Sequence, residues 1–215
     1  MQTISQAFEN WENEIKPLVI AGTPHGEWDL PALAGTPHGE WDLPALAESW
    51  NDYTDALCKD GELTELQYNF CPTFDDSMPD EDGEIEFLLD AMGVTFRYEP
   101  IDARTDGLMG EWAAKSSHWS VTYERVGKAI KTQYSMGPAH DGREPDMTDV
   151  LENLLSDSDA DGYATFEDWA DDMGYDSDSR KAERIYNACL VIAGKVNEMF
   201  TASELSDLRD MYAER

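Results

Sequence analysis

Two long stretches of this chain carry carboxylates and no cations, and they constrain its fold more than any other feature. Residues 60–96 contain 11 Asp and Glu side chains, residues 144–179 contain 13, and neither stretch contains Lys or Arg. Like charges at this density destabilise a compact state through self-repulsion, so the fold must tolerate them or selection must favour them. Uniform acidity would indicate only solubility, whereas this clustering favours a surface that binds a basic partner.

The whole chain is strongly acidic, with 46 acidic and 15 basic residues and a formal net charge of −31. Duplex DNA carries one charge per ~1.7 Å of axis, so this charge equals that of roughly 50 Å of duplex. A compact chain of this length has a diameter of about 45 Å. The protein therefore carries about as much charge as DNA of its own length. Such a chain repels nucleic acid and acidic membranes and attracts cationic surfaces.

The 215 residues suffice for one medium domain or two small ones, and 41% hydrophobic residues can supply a core. No apolar run approaches the roughly 18 residues of a membrane span, and the N-terminus lacks the pattern of a signal peptide. Cys58, Cys71 and Cys189 are odd in number and lack C-x-x-C spacing, which indicates reduced thiols. We therefore expect a soluble protein of the host cytoplasm with no membrane partner and no direct nucleic-acid partner.

Periodicity and capping residues predict helices at both ends of the chain and strands between them. Ile4, Phe8, Trp11 and Ile15 recur at helical spacing, and Pro17 is expected to stop or kink that helix. The predicted strands are rich in β-branched and aromatic residues, and Gly127 separates the last two as in a tight hairpin. The predicted helices lie at 45–59, 64–71 and 87–92, and the predicted strands at 94–100, 118–126 and 128–137.

The pattern becomes helical again from Met147. Asp178 or Ser179 is expected to cap a long helix, and Thr201 with Glu204 forms a capping box for the last one, to about residue 213. The sequence therefore predicts an α+β fold, with helical N- and C-terminal parts around a small antiparallel sheet. We expect a mainly helical acidic region at 1–91, followed at 92–215 by the sheet and a helical C-terminal module.

Residues 21–33 and 34–46 are identical, each reading AGTPHGEWDLPAL. Two copies are too few for a solenoid, and their Pro and Gly residues oppose a continuous helix. A duplication with one copy looped out is the favoured interpretation. The alternative is a metal site formed by His and carboxylate side chains of the two copies. Those side chains are His25, Glu27, Asp29, His38, Glu40 and Asp42.

The second acidic stretch contains a fragment with the spacing of an EF-hand loop. Asp157, Asp159 and Asp161 occupy loop positions 1, 3 and 5, and Asp168 occupies position 12. Asp168 stands where an EF-hand has a bidentate Glu, and the chain contains no second loop of this kind. An EF-hand-like Ca²⁺ or Mg²⁺ module therefore remains an alternative to an acidic linker whose Asp and Ser side chains cap the next helix.

The chain also resembles a widespread group of acidic bacteriophage and mobile-element proteins. The resemblance covers about 119–195 and rests on HWSVTYERVGKAIKTQYSMGPAH, PDMTDVLENLLSD and FEDWADDMGYDSDSRKAERIYNAC. It implies a phage origin, and it transfers no catalytic residue. In that group the stretch before FEDWA varies, which weighs against the Ca²⁺ loop.

Small acidic phage proteins often occupy the DNA-binding cleft of a host defence complex, where carboxylates engage the Arg and Lys meant for phosphates. The leading hypothesis is therefore a DNA-mimicking inhibitor of a CRISPR effector or restriction enzyme. Its expected partner is a basic, DNA-binding host protein or complex, and a homodimer of the chain itself is also possible. A generic acidic accessory or halophile protein is the other alternative. The predicted acidic surface comprises Asp75, Asp76, Asp80, Glu81, Asp82, Glu84, Glu86, Asp157, Asp159, Asp161, Glu167, Asp168, Asp171 and Asp172.

Nothing in the sequence favours an enzyme or a bound cofactor. The chain has no phosphate-binding loop, no G-x-S-x-G and no H-E-x-x-H. Three cations, Arg180, Lys181 and Arg184, could bind an anion. We expect them instead to form exposed ion pairs, each worth ~0.2–1 kcal/mol. The expected partners are Asp176, Asp178 and Glu183.

Overall fold

The structure is a computed structural model that describes residues 1–22, 43–101, 117–136, 144–145 and 147–213. It has helices at both ends and a three-stranded antiparallel sheet in the middle, so the predicted α+β class is confirmed. The described chain divides into two compact units, 1–88 and 89–213. Most of the duplicated segment, including its six candidate metal ligands, lies outside the described residues. No helix in the described ranges is long and apolar enough to cross a membrane.

The first unit is built from helices. They are α1 (Ile4–Asn10), α2 (Lys16–Gly22), α3 (Leu43–Lys59), α4 (Glu65–Asn69) and α5 (Glu84–Ala91), of which α5 runs on into the second unit. Capping boxes begin two of them, with Thr3 and Gln6 on α1 and Thr64 and Gln67 on α4. A left-handed glycine, Gly61 with φ of 74°, follows α3 as predicted.

Pro17 does not end the first helical segment. A π-helical turn, Trp11–Ile15, joins α1 to α2, and Pro17 is the second residue of α2. A proline inside a helix lacks the N–H group that would continue the hydrogen-bond ladder, and here a π-helical turn lies directly before it. The segment therefore continues to Gly22.

Aromatic rings form the core of the first unit. Trp11 and Trp50 are at most 1% exposed, and their ring centroids lie 5.5 Å apart at an interplanar angle of 62°. Each indole N–H is satisfied: Trp11 donates to Ser49 Oγ at 3.2 Å and Trp50 donates to the carbonyl of Pro72 at 2.9 Å. Burial of these rings favours folding and so opposes the self-repulsion of the acidic residues.

The second unit contains the sheet, in the order β1 (Thr95–Pro100), β2 (Ser117–Arg125) and β3 (Lys128–Met136). Alternate residues of β2, namely Trp119, Val121 and Tyr123, are buried, as expected for a sheet with one face on the core. The predicted hairpin turns at Val126 and Gly127, with φ of 52° and 73°. Val126 is thus a β-branched residue in the left-handed region, and it is 90% exposed.

Helices complete the second unit after the sheet. They are α6 (Met147–Ser158), α7 (Phe166–Asp172), α8 (Arg180–Met199) and α9 (Ala202–Ala213), with a 3₁₀ turn at Asp159–Gly162 between α6 and α7. The predicted caps are present, because Ser179 accepts from Ala182 N–H and Thr201 exchanges hydrogen bonds with Glu204. Around Trp169, aromatic rings of α7 and α8 pack at centroid distances of 5.3–6.2 Å.

Candidate functional site: exposed carboxylates of the acidic stretches

Carboxylates of the first stretch cluster in the turns before α5. Thr73 Oγ donates to Asp75 and Asp76 at 2.7 and 2.5 Å, and Gly83 N–H donates to Asp80 at 2.7 Å. All three carboxylates are exposed, as are Glu81, Asp82 and Glu86. Six of the seven predicted residues of the first stretch are therefore at the surface, five of them in these turns and Glu86 on α5.

Glu84 is the exception and is withdrawn from the predicted acidic surface. It is only 2% exposed. Its carboxylate accepts the backbone N–H of Ile4 at 3.2 Å and the side-chain amide of Gln67 at 2.7 Å. Gln67 in turn donates to the carbonyl of Gln2 at 3.0 Å. Glu84 therefore joins the start of α1 to α4 and α5 and has a structural role, because a buried carboxylate must be hydrogen-bonded.

None of the three cysteines is in a disulfide, and the thiols of Cys71 and Cys189 are poorly reactive. Burial, together with the charge of Glu84, raises the pKa of Cys71 to about 12. Burial and the neighbouring Asp157 raise the pKa of Cys189 to about 11. Because the thiolate is the nucleophile, neither side chain is suited to catalysis at neutral pH.

The four Asp residues of the EF-hand-like fragment do not converge on one point. Asp159 forms an ion pair with Arg209 at 2.6 Å, and Asp161 accepts from Asn197 at 2.9 Å. Asp157 is half-buried and lies 3.8 Å from the Cys189 sulfur, while Asp168 accepts from Thr165 at 2.8 Å. No group of three or more metal-ligating side chains occurs among the described residues. The geometry therefore does not favour the Ca²⁺ interpretation.

Burial also affects Asp157 electrostatically. Its pKa is raised, chiefly because removal from water disfavours the charged form, although the Cys189 thiol acts in the opposite direction.

An open groove of about 490 Å³ adjoins this turn. It is lined by Asp159, Asp161, Gly162, Tyr163 and Arg209. Arg209 was missed by the sequence reasoning, since it lies 50 residues after Asp159 in the chain. Its guanidinium also donates to Ser158 at 3.1 Å and so ties α9 to the end of α6.

The most concentrated acidic surface is on α7. The helix has seven residues, and four of them are exposed carboxylates: Glu167, Asp168, Asp171 and Asp172. We call these four side chains the α7 acidic face. The opposite side of α7 is buried through Trp169 and Ala170, which pack against α8. Thr165 caps the helix, and Gly174 with φ of 70° ends it, so the four carboxylates are held on a defined element.

Cations at the start of α8 follow the α7 acidic face closely in the sequence but do not neutralise it. Within the described ranges, Arg180, Lys181 and Arg184 form no ion pair, so the expected pairs with Asp176, Asp178 and Glu183 are absent. Asp176 instead accepts the backbone N–H of Asp178 at 2.9 Å.

No family model, curated protein or solved structure matches this chain. Its function is therefore inferred from the arrangement of its own side chains.

Proposed function

We propose that this protein is a phage-encoded acidic inhibitor of a basic, DNA-binding host defence complex, a CRISPR effector or a restriction enzyme. In this proposal its carboxylates occupy the cleft that would otherwise bind DNA. The phage origin comes from the sequence resemblance, and the mode of action comes from the acidic surfaces.

The charge density of the α7 acidic face is the observation that carries the proposal. A seven-residue helix is about 10.5 Å long, so four carboxylates give one charge per ~2.6 Å. Duplex DNA has one charge per ~1.7 Å when both strands are counted. The face thus approaches the charge density of a duplex on an element whose opposite side is fixed by Trp169.

The contacts of these carboxylates leave their charge in place. Asp168 accepts from Thr165, and Asp172 accepts from the Tyr163 hydroxyl. Both donors are neutral, as are the Thr73 and Gly83 donors to the first stretch. A neutral donor fixes the direction of a carboxylate and keeps its negative charge available to a cationic partner.

A DNA-binding cleft offers such a partner. Arg side chains that bind phosphates bidentately bind carboxylates with similar geometry. The opposite charges would also speed association, since electrostatic steering raises association rates at low salt. Binding of this kind weakens steeply as salt rises.

A competition assay tests the proposal. CRISPR effectors and restriction enzymes are each mixed with labelled target DNA and the full chain, and DNA binding is measured between about 50 and 200 mM salt. We expect at least one enzyme to lose DNA at low salt and to regain it as the salt concentration rises. If DNA binding by every enzyme in the panel is unaffected at low salt, the proposal is wrong.

A charge-matched pair of variants separates mimicry from general acidity. One variant neutralises the α7 acidic face with Glu167→Gln, Asp168→Asn, Asp171→Asn and Asp172→Asn. The control makes the same net change at four exposed carboxylates outside both stretches, with Glu9→Gln, Asp52→Asn, Glu124→Gln and Asp210→Asn. We expect only the first variant to lose at least ~tenfold in inhibition. Equal losses in both would refute a localised acidic surface.

A further inference from the structure

Helix α8 has an exposed cationic face that no other part of the described chain covers. At 3.6 residues per turn, Arg180, Lys181, Arg184 and Lys195 fall within an arc of about 100° on α8. All four are exposed. Among the described residues none of them has an ion-pair or hydrogen-bond partner. We call these four side chains the α8 basic face.

This face is opposite the buried side of the helix. Ala182, Cys189, Ala193 and Val196 point into the core, about half a turn away from the cations. Val191 lies within the same arc as the cations and is 60% exposed. The α8 basic face is thus a stripe about 22 Å long with an apolar side chain between its charged ends. Glu198 follows on the same arc beyond Lys195, and its charge is paired with Lys128 at 2.7 Å.

The arrangement is unusual for a chain with a net charge of −31. Many carboxylates are available, yet the four cations do not fold onto any of them. Unpaired cations with an exposed Val fit the pattern of an interface, in which an apolar centre is surrounded by charged groups.

We propose that the α8 basic face binds the α7 acidic face of a second copy of this chain. The numbers of charges match, with four cations on one face and four carboxylates on the other. Exposed apolar side chains also occur beside both, Val191 on α8 and Met173 and Tyr175 just after α7. Within one copy, α7 packs on α8 through Trp169 and Tyr186, and the described residues show no ion pair between its carboxylates and the α8 basic face.

Each copy carries both faces, so we expect a closed pair with a two-fold axis, which makes the contact twice, with α7 of each copy on α8 of the other. The inference is independent of the proposed target, since its partner is the chain itself. Free nucleic acid is the competing occupant of a basic face, and an oligonucleotide arm of the test distinguishes it from a second copy.

Two charge reversals test the contact. Sedimentation velocity of the full chain should show a dimer at about 0.1 M NaCl, where a Debye length of ~10 Å screens the long-range repulsion between two chains of net charge −31. The dimer should dissociate at about 1 M NaCl, where the Debye length is ~3 Å and the contacts between the two faces are screened as well. Arg184→Glu alone and Asp171→Lys alone should each weaken dimerisation roughly tenfold or more, because each places like charges in both contacts.

An equal mixture of the two variants should dimerise again. In the mixed pair, one contact is native and the other joins Lys at 171 to Glu at 184. Lys131→Glu and Asp210→Lys, at exposed sites elsewhere in the second unit, serve as charge-matched controls and should dimerise like the original chain. Circular dichroism of each variant confirms that it is folded.

Four results would overturn the inference. The first is a monomer under all conditions, and the second is a dimer that both reversals leave intact. The third is binding of a labelled oligonucleotide that Arg184→Glu abolishes, since this would assign the face to nucleic acid. Failure of the mixed variants to dimerise would also contradict it.

Discussion

The buried carboxylate of Glu84 gives the sharpest stability prediction. Replacing it with Gln keeps the size of the side chain but removes the charge, and it turns an oxygen that accepts from Ile4 N–H, or from both Ile4 N–H and the Gln67 amide, into a donor. Hydrogen bonds to charged groups contribute about 1.5–3 kcal/mol each, and an unsatisfied buried donor costs a similar amount. We therefore expect Glu84→Gln to lower the free energy of unfolding by about 2 kcal/mol.

The same helix offers the control. Glu86 lies two residues further along α5 and is exposed, so Glu86→Gln should change stability by less than about 0.5 kcal/mol. Urea unfolding followed by Trp fluorescence measures both, because Trp11 and Trp50 report on the core of this unit. With a urea slope of ~2 kcal/mol/M, the midpoint of the Glu84 variant should fall by about 1 M. Equal midpoints for the two variants would refute the structural role of Glu84.

Three further changes test other parts of the structure. Val126→Asn should stabilise the chain by about 1 kcal/mol, because Asn tolerates a positive φ, and its midpoint should exceed that of the matched control Val191→Asn in a helix. Burial raises the pKa of Asp157 above the carboxyl's ordinary value of 3.8, so its charged form disfavours folding. The Asp157→Asn variant should therefore become more stable relative to the original chain as pH rises from below 3.8 to neutrality. A difference in urea midpoint that does not change with pH would contradict this. Glu204→Gln should cost about 2 kcal/mol at neutral pH. The Arg125 guanidinium, 2.8 Å from the Glu204 carboxylate, lowers the pKa of Glu204 below its ordinary value of 4.5. The stability lost in Glu204→Gln should therefore shrink as pH falls through and below 4.5. A loss that stays constant with pH would contradict this.

Local signals in the sequence sufficed for most helices and strands. Thr64, Ser179 and Thr201 cap helices as predicted because a cap depends on residues three positions apart. Gly127 supplies the positive φ of the hairpin in the same local way. Such elements need no knowledge of the rest of the fold.

The features that the sequence could not reveal depend on distant partners. Glu84 was grouped with exposed neighbours, but its donors are 80 and 17 residues away. The four Asp residues of the EF-hand-like fragment have the right spacing, yet Arg209 and Asn197 from later helices hold two of them apart. Spacing along the chain specifies which residues could meet, whereas tertiary contacts decide which of them do.

The two proposed interactions use the same carboxylates, and this makes them testable against each other. A dimer would cover the α7 acidic face, so a copy in a dimer could not offer that face to a DNA-binding cleft. Arg184→Glu removes a cation from the α8 basic face and leaves all four α7 carboxylates in place. If both proposals hold, the competition assay should show stronger inhibition by this variant than by the original chain at concentrations where the original chain is dimeric. At dilutions where the original chain is monomeric, the two should inhibit DNA binding equally. Weaker inhibition by Arg184→Glu at every concentration would mean that the α8 basic face itself contacts the target, because loss of a dimer can only free the α7 acidic face.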